Sequence, residues 1–137
     1  MGAGSARTYV VVDAEQQRVV GYHALTVASI EHGAATDPAR KGMPRHPIPA
    51  MLLARLAVDR MVQGHGIGAF LLTDAMSRAV SVAEQTGIRL LLVRAISDEA
   101  RAFYEHFSFE ASPTDAMNLQ LLIKDIRLAL DQHSPPG

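Results

Sequence analysis

Residues 56–69 read Leu-Ala-Val-Asp-Arg-Met-Val-Gln-Gly-His-Gly-Ile-Gly-Ala, with three glycines at alternate positions near the end. The apolar run 51–58 predicts a buried strand before these glycines. After them, apolar residues recur at helical spacing from Phe70 onward, and Gly87 is placed to end that helix. A strand, a glycine turn and a helix form a site for a phosphate group, because glycines let an anion approach the backbone and the first helical N–H groups point outward.

The spacing of the glycines leaves the kind of phosphate open. Gly64, Gly66 and Ala69 fit a dinucleotide-binding fingerprint, which requires an acidic residue about 20 positions further on, at the end of the next strand. Glu84 falls within the predicted helix instead, and the next strand ends at Arg94. A P-loop is excluded because no Gly-Lys-Ser/Thr follows. A tight strand-to-helix turn without a ligand remains the alternative.

The rest of the chain predicts a mixed α/β domain with one sheet. Residues 8–12 and 19–30 form an antiparallel hairpin, and residues 31–49 form an irregular loop. Further along the chain we predict a buried strand at 89–94, a helix capped by Ser97, a strand at 117–122 and a short amphipathic helix at 123–130.

Composition narrows the class of protein. A chain of 137 residues suits a single domain over 1–137, and we expect its ends, 1–7 and 132–137, to be flexible. Net charge is −1, which argues against binding nucleic acid through bulk charge. The chain has no cysteine, its histidines lack metal-ligand spacing, and no apolar run reaches the ~18 residues of a membrane span. We therefore expect a soluble cytoplasmic protein without a metal or a membrane partner.

Two segments resemble the GNAT acetyltransferases. The turn at 63–68, reading QGHGIG after LAVD, resembles the acetyl-CoA motif of this superfamily, and AISDEARAFYEHFSF at 95–109 resembles its second motif. Within the superfamily, residues 6–126 are most similar to TacT-type toxins. Those enzymes acetylate the amino group of aminoacyl-tRNA and are neutralised by a ribbon-helix-helix antitoxin. The resemblance implies a GNAT-like, mostly antiparallel sheet flanked by helices.

The resemblance also implies an acetyl-CoA site. The backbone of residues 56–58 would pair with the pantetheine arm, and the glycine turn would hold the pyrophosphate. Ser97 and Asp98 would flank the cofactor, although Ser97 fits a plain helix cap equally well. The implied cofactor-binding residues are Leu56, Ala57, Val58, Gln63, Gly64, His65, Gly66, Ile67, Gly68, Ala69, Ser97 and Asp98.

Tyr104 matches the catalytic tyrosine of the family, which protonates the leaving thiolate as a general acid. Helical spacing alone favours packing beside Phe103 and Phe107. No general base stands out, and Asp59 at the strand end is the nearest candidate. Six cations are candidates for contact with tRNA phosphates, with a solvated surface as the alternative: Arg40, Lys41, Arg45, Arg78, Arg89 and Arg94.

Two departures from the family pattern bear on function. Ser108 stands where the family usually has glycine, and the strand and two helices that normally precede the segment at Thr8 have no counterpart. An exposed sheet edge would invite pairing with another chain, so we expect a homodimer or dependence on a partner. Transfer of acetyl to a small amine or a protein N-terminus, and a non-catalytic acetyl-CoA-binding module, are the alternative functions.

Overall fold

The computed structural model describes residues 6–132 and contains one six-stranded sheet in the order β1-β2-β3-β4-β6-β5. Within this described part of the chain only β3 and β4 pair in parallel, which confirms the predicted mixed, mostly antiparallel fold. The strands are β1 Arg7–Asp13, β2 Arg18–Ile30, β3 Ile48–Val58, β4 Leu90–Arg94, β5 Glu110–Ser112 and β6 Asp115–Leu122. The helices are α1 Asp37–Arg40, α2 Ile67–Thr86, α3 Asp98–His106 and α4 Ile123–Gln132.

Most of the two ends predicted to be flexible lies outside the described residues. Of the inner positions, Arg7 already belongs to β1 and Gln132 ends α4. Within residues 6–132, no helix is long and apolar enough to cross a membrane.

Glycines set both ends of the long helix α2. Gly66 and Gly87 adopt the left-handed conformation, with φ of 78° and 76°, which glycine reaches without the steric cost that a Cβ would add. Between them, apolar side chains at helical spacing face the sheet, and burying each leucine stabilises the fold by about 1.5–3 kcal/mol. The buried residues of α2 are Leu71, Leu72, Ala75, Met76 and Ala79.

The two faces of the sheet are covered differently. Helices α2, α3 and α4 contribute to the main core, which also contains alternate residues of the central strands such as Leu53, Leu91 and Leu119. The opposite face carries a smaller core around Ile48 and Leu90, which the segment 31–47 covers.

This covering segment corrects the prediction of an irregular loop over 31–49. It contains a 3-10 turn at His32–Ala34 and the helix α1, and β3 already begins at Ile48. The buried side chain of Gln120 anchors the segment, since its Oε1 accepts a hydrogen bond from Thr36 N at 2.9 Å and its Nε2 donates to Ala34 O at 3.2 Å. The partners lie more than 80 residues apart, and no local pattern encodes such a contact.

Candidate active site

The centre of the site is the point where β3 and β4 part. These strands pair from Ala50 with Leu90 to Leu53 with Val93, and the pairing stops there. Beyond this point β2 still pairs with β3, and Ala95 N still donates to Met117 O of β6 at 2.8 Å. Each strand therefore keeps its outer neighbour while a wedge opens between them, with the backbone of β3 unpaired along one edge.

A β-bulge lies where the strands part. In the pairing of β2 with β3, Ala24 lies opposite Arg55 while Leu25 lies opposite Leu53, so Ala54 is the extra residue. A bulge bends its strand and increases the local twist. Residues 55–58 consequently turn away from β4, and their N–H and C=O groups on the open edge can bind an amide-containing arm as an added strand would.

The glycine turn closes one end of this wedge. Gly64 and Gly66 have φ of 89° and 78°, and a methyl group on either would meet no atom within 4 Å. Among residues 6–132, no side chain caps the start of α2, so its first N–H groups remain available to an anion. The predicted residue His65 is exposed in the same turn. Open space, helix N–H groups and left-handed glycines fit the pyrophosphate of the predicted acetyl-CoA.

Two polar residues beside the turn hold backbone groups. Gln63 Nε2 donates to Val58 O at 3.3 Å, which joins the turn to the last residue of β3. Asp59 Oδ1 accepts from Met61 N at 2.8 Å, and its Oδ2 lies 3.4 Å from Arg18 Nη2. Asp59, considered above as a general base, thus anchors the end of β3, and its carboxylate is engaged on both oxygens.

Helix α3 forms the other wall of the wedge. A methyl group on Gly68 would lie 3.7 Å from Phe103 Cζ and 3.8 Å from Val58 Cγ2, so the start of α2, helix α3 and the end of β3 meet here. Ser97 Oγ accepts from Ala100 N at 3.1 Å and therefore caps α3. Asp98 follows in the first turn, where a negative charge favours the helix dipole.

Tyr104 is buried in this wall, with 7% of its surface exposed. Its ring makes edge-to-face contacts with Phe103 at 5.4 Å and Phe109 at 5.7 Å between centroids. Burial raises the pKa of the Tyr104 phenol above its usual value of 10.0. The phenol therefore keeps its proton throughout the neutral pH range, as a proton donor must.

The end of α3 fixes the position of Tyr104. Phe109 N donates to Tyr104 O at 3.2 Å and Ser108 N donates to Glu105 O at 3.0 Å, a pair of bonds that ends many helices. The accompanying apolar contact joins Phe109 to Tyr104. Such an ending requires a left-handed residue, and here Ser108 supplies it with φ of 73°. The sequence marked Ser108 as unusual, whereas the role of Phe109 in holding Tyr104 emerges only from the structure.

Replacing Ser108 with glycine is expected to stabilise the fold. A side chain in the left-handed conformation costs about 1–2 kcal/mol, part of which the greater freedom of glycine in the unfolded chain offsets. We expect a gain of about 1 kcal/mol and a rise in Tm of about 3–5 °C, measured by thermal unfolding. Gln17→Gly is a comparison variant that removes a side chain from the left-handed region at a second site, because Gln17 also has positive φ, 51°, in the hairpin turn. A lower Tm for Ser108→Gly would contradict this account of the helix end.

The six cations that were candidates for RNA contact lie in different parts of the structure. Arg78 lies on α2, donates to Asp74 at 2.8 Å and covers the ring of Tyr9 at 3.6 Å. Arg94 ends β4 beside the wedge and donates to Asn118 Oδ1 at 3.0 Å. The other four, Arg40, Lys41, Arg45 and Arg89, lie together near the start of β4.

Comparisons with known proteins agree with this geometry. The profile of the Acetyltransferase (GNAT) domain matches residues 5–111. A tRNA-acetylating toxin of Mycobacterium tuberculosis is 50% identical over 124 residues, which span 90% of this chain and 73% of the toxin. AtaT complexed with acetyl-methionyl-tRNAfMet has a TM-score of 0.83 at 30% identity, covering 91% of this chain and 75% of AtaT.

A third similar structure is a tyrosine-to-phenylalanine variant of AtaT bound to acetyl-CoA and the C-terminus of its antitoxin AtaR. It has a TM-score of 0.75 at 29% identity and covers 91% of this chain and 72% of that protein. The matched profile spans most of the chain, including the glycine turn and α3. The chain therefore belongs to the GNAT acetyltransferase family.

Proposed function

We propose that this enzyme transfers an acetyl group from acetyl-CoA to the α-amino group of aminoacyl-tRNA, as the toxin of a toxin–antitoxin pair. The observation that carries the proposal is the wedge between β3 and β4, with the glycine turn at one end and Tyr104 in its wall. The M. tuberculosis relative, half identical over nearly the whole chain, is a tRNA-acetylating toxin, which supports aminoacyl-tRNA as the acceptor.

Each part of the wedge would hold one part of the donor. The unpaired backbone of residues 56–58 would bind the amides of the pantetheine arm, and residues 63–69 would bind the pyrophosphate through N–H groups. Ser97 and Asp98 lie at the opposite wall, at the start of α3. When bound, acetyl-CoA supplies an activated acetyl thioester whose sulfur leaves as the new amide bond forms.

The surroundings of Tyr104 suit it to donate a proton to the leaving sulfur. The phenol would hold its proton at Oη until the sulfur departs and would then donate it to the sulfur. The proton that the attacking nitrogen loses would pass to water, and water would reprotonate the phenolate. An α-amine has a pKa of about 8, so a substantial fraction is neutral at pH 7–8 without a strong base on the protein. The reaction therefore does not require Asp59 as a base. Both oxygens of the Asp59 carboxylate already have partners, which gives this group a structural role.

A partner chain is the second part of the proposal. Strand β1 is an edge strand with no pairing on its outer side among residues 6–132. Val10 and Val12 on one face of it are 55% and 51% exposed. Unpaired backbone beside exposed valines favours association. We propose a homodimer that a ribbon-helix-helix antitoxin neutralises, in line with the antitoxin complex of AtaT.

Transfer of labelled acetyl from acetyl-CoA to a pool of aminoacylated tRNA tests the acceptor. We expect label in the RNA fraction and none when the same pool has been deacylated, because deacylation removes the amine and leaves the RNA unchanged. A short peptide with a free N-terminus and a small primary amine serve as competing acceptors. Label only on these, or none on any acceptor while acetyl-CoA still binds, would contradict the proposed function.

A further inference from the structure

A cavity of about 290 Å³ lies at the end of the sheet remote from the wedge, where β4 begins and β6 ends. Helix α1, the end of α3 and the first turn of α4 border it, through Ala39, Phe107 and Asp125. We call this space the end cavity. Among the described residues that line it, none is assigned above to acetyl-CoA or to catalysis. It is large enough for a small ligand, since a cavity of about 150 Å³ holds benzene.

The floor of the end cavity is apolar and its rim is acidic. Buried leucines at the start of β4 and the end of β6 form the floor: Leu90, Leu121 and Leu122. Glu110, which begins β5, and Asp125 line the rim, and both are exposed. The floor favours the aliphatic part of a ligand, because contact with the leucines removes apolar surface from water.

The two carboxylates of the rim lack a positive partner in the described part of the chain. No Lys, Arg or His is among the described residues that line the cavity, and neither Glu110 nor Asp125 takes part in an ion pair within residues 6–132. Asp125 has a structural role, since a negative charge in the first turn of α4 favours the helix dipole. Glu110 lies in a strand, where glutamate is disfavoured. Its charge therefore points to a cationic ligand in the cavity.

A buried amide gives the cavity a further acceptor. Gln120 lines the cavity with 3% of its surface exposed. Its Oε1 accepts one hydrogen bond, from Thr36 N at 2.9 Å, and an amide oxygen has a second lone pair. A cation with several N–H donors could therefore donate to Gln120 as well as to the carboxylates of the rim.

These groups suit an organic cation better than a metal ion. Residues 6–132 contain no group of three or more His, Asp or Glu side chains placed to hold a metal. A guanidinium carries five N–H donors in a plane and matches carboxylates with pairs of hydrogen bonds. It is also more weakly hydrated than an ammonium, so it loses less on entering a partly buried site.

We infer that the end cavity binds a guanidinium cation on an aliphatic chain, the chemistry of an arginine side chain. The aliphatic chain packs on the leucines of the floor, and the guanidinium donates to Glu110 and Asp125 at the rim. An arginine of another polypeptide and a small guanidine compound share this chemistry. The inference does not depend on the proposed function, because it concerns none of the residues of the wedge.

The test titrates the isotope-labelled full chain with two probes of nearly the same shape and follows the backbone amides by NMR. Butylguanidine carries the cation, and butylurea is its neutral counterpart. Neither probe has an aliphatic amine that could accept acetyl. We expect shifts at Ser108 and Glu110, which line the cavity, and none at Gly64 and Gly66 of the glycine turn. Butylurea should bind at least ~10-fold more weakly, because charge-assisted hydrogen bonds are about twice as strong as neutral ones.

Two double variants with the same loss of charge locate the cation. Glu110→Gln with Asp125→Asn removes both carboxylates of the rim and should raise the Kd for butylguanidine at least ~10-fold. The Kd for butylurea should stay the same in this variant, which checks that the cavity is intact. Glu15→Gln with Glu84→Gln removes two exposed carboxylates outside the cavity and should keep the wild-type Kd for both probes.

An equal Kd for the two probes, or an equal effect of the two double variants, would overturn the inference. So would shifts confined to the glycine turn and the start of α3, since the probe would then bind in the wedge. Agmatine and a short arginine peptide with blocked ends distinguish the sources of the cation. Tighter binding of the peptide than of agmatine supports an arginine of another polypeptide, and the reverse order supports a small guanidine compound. Failure of acetyl transfer to tRNA would refute the proposed function and leave these binding results unchanged.

Discussion

Replacing Tyr104 with phenylalanine should lower kcat for acetyl transfer by about 100-fold or more, with little change in Tm or in the Kd for acetyl-CoA. The variant keeps the ring that packs on Phe103 and Phe109 and loses only the phenolic hydroxyl, which carries the proton. Loss of a positioned general acid costs about 10²–10⁴ in rate. Steady-state kinetics with saturating aminoacyl-tRNA give kcat directly.

The pH dependence separates the roles of the acid and the amine. Because burial raises the pKa of Tyr104, the acid is protonated below its usual pKa of 10.0 and is lost only as pH rises beyond it. The wild-type rate should therefore rise with pH as the amine, whose pKa is about 8, loses its proton. It should show no decrease near neutral pH from loss of the acid. Tyr9→Phe is the matched control for Tyr104→Phe, since Tyr9 lies on the edge strand β1 and its ring packs on His23, at 5.0 Å between centroids. If kcat is unchanged in Tyr104→Phe, the role of Tyr104 is packing and not catalysis.

Replacing Gly66 with alanine is expected to raise the Kd for acetyl-CoA at least 10-fold, about 1.4 kcal/mol. The added methyl group would occupy the open space in front of the first N–H groups of α2, where the pyrophosphate would bind. Isothermal titration of acetyl-CoA into the variant measures this loss.

Gly66→Ala also introduces backbone strain, and a control variant must separate the effect of this strain from the effect on acetyl-CoA binding. Gly87→Ala provides it, because Gly87 has φ of 76° against 78° for Gly66 and equally open surroundings. Both variants should lose about 1–2 kcal/mol of stability, since alanine is disfavoured in the left-handed region. Only Gly66→Ala should lose affinity. If the two variants bind acetyl-CoA equally well, the glycine turn is a tight turn and no phosphate site.

Elements with a local signal could be predicted from the sequence. The hairpin, the glycine turn and the end of α2 at Gly87 depend on neighbours in the chain, and the structure has all three. The end of α3 could have been predicted in part, because Phe109 follows the helix at the position that packs back on Tyr104. Strand β5 has only three residues, too few for a periodic pattern.

Features that depend on distant contacts could not be predicted. The bulge at Ala54 and the parting of β3 from β4 follow from strand pairing, and Ala54 has no special residue type. Arg89 appeared as one cation among several, although its guanidinium holds carbonyl groups about 50 residues earlier in the chain. For Tyr104, helical spacing predicted packing and the family resemblance predicted catalysis. The burial and aromatic contacts of Tyr104 fit both roles.

The wedge between β3 and β4 also has a consequence for misassembly in the cell. An unpaired strand edge is a template on which foreign polypeptides can add, and long flat edges are a common origin of aggregation. Here the unpaired part of β3 lies inside a wedge with joined strands at its base and α2 and α3 meeting on one face. A peptide strand carries side chains on both faces and would collide with these helices, whereas the β-alanine and cysteamine parts of a pantetheine arm carry no side chains. The fold could thus expose backbone to the proposed donor while excluding the polypeptides around it.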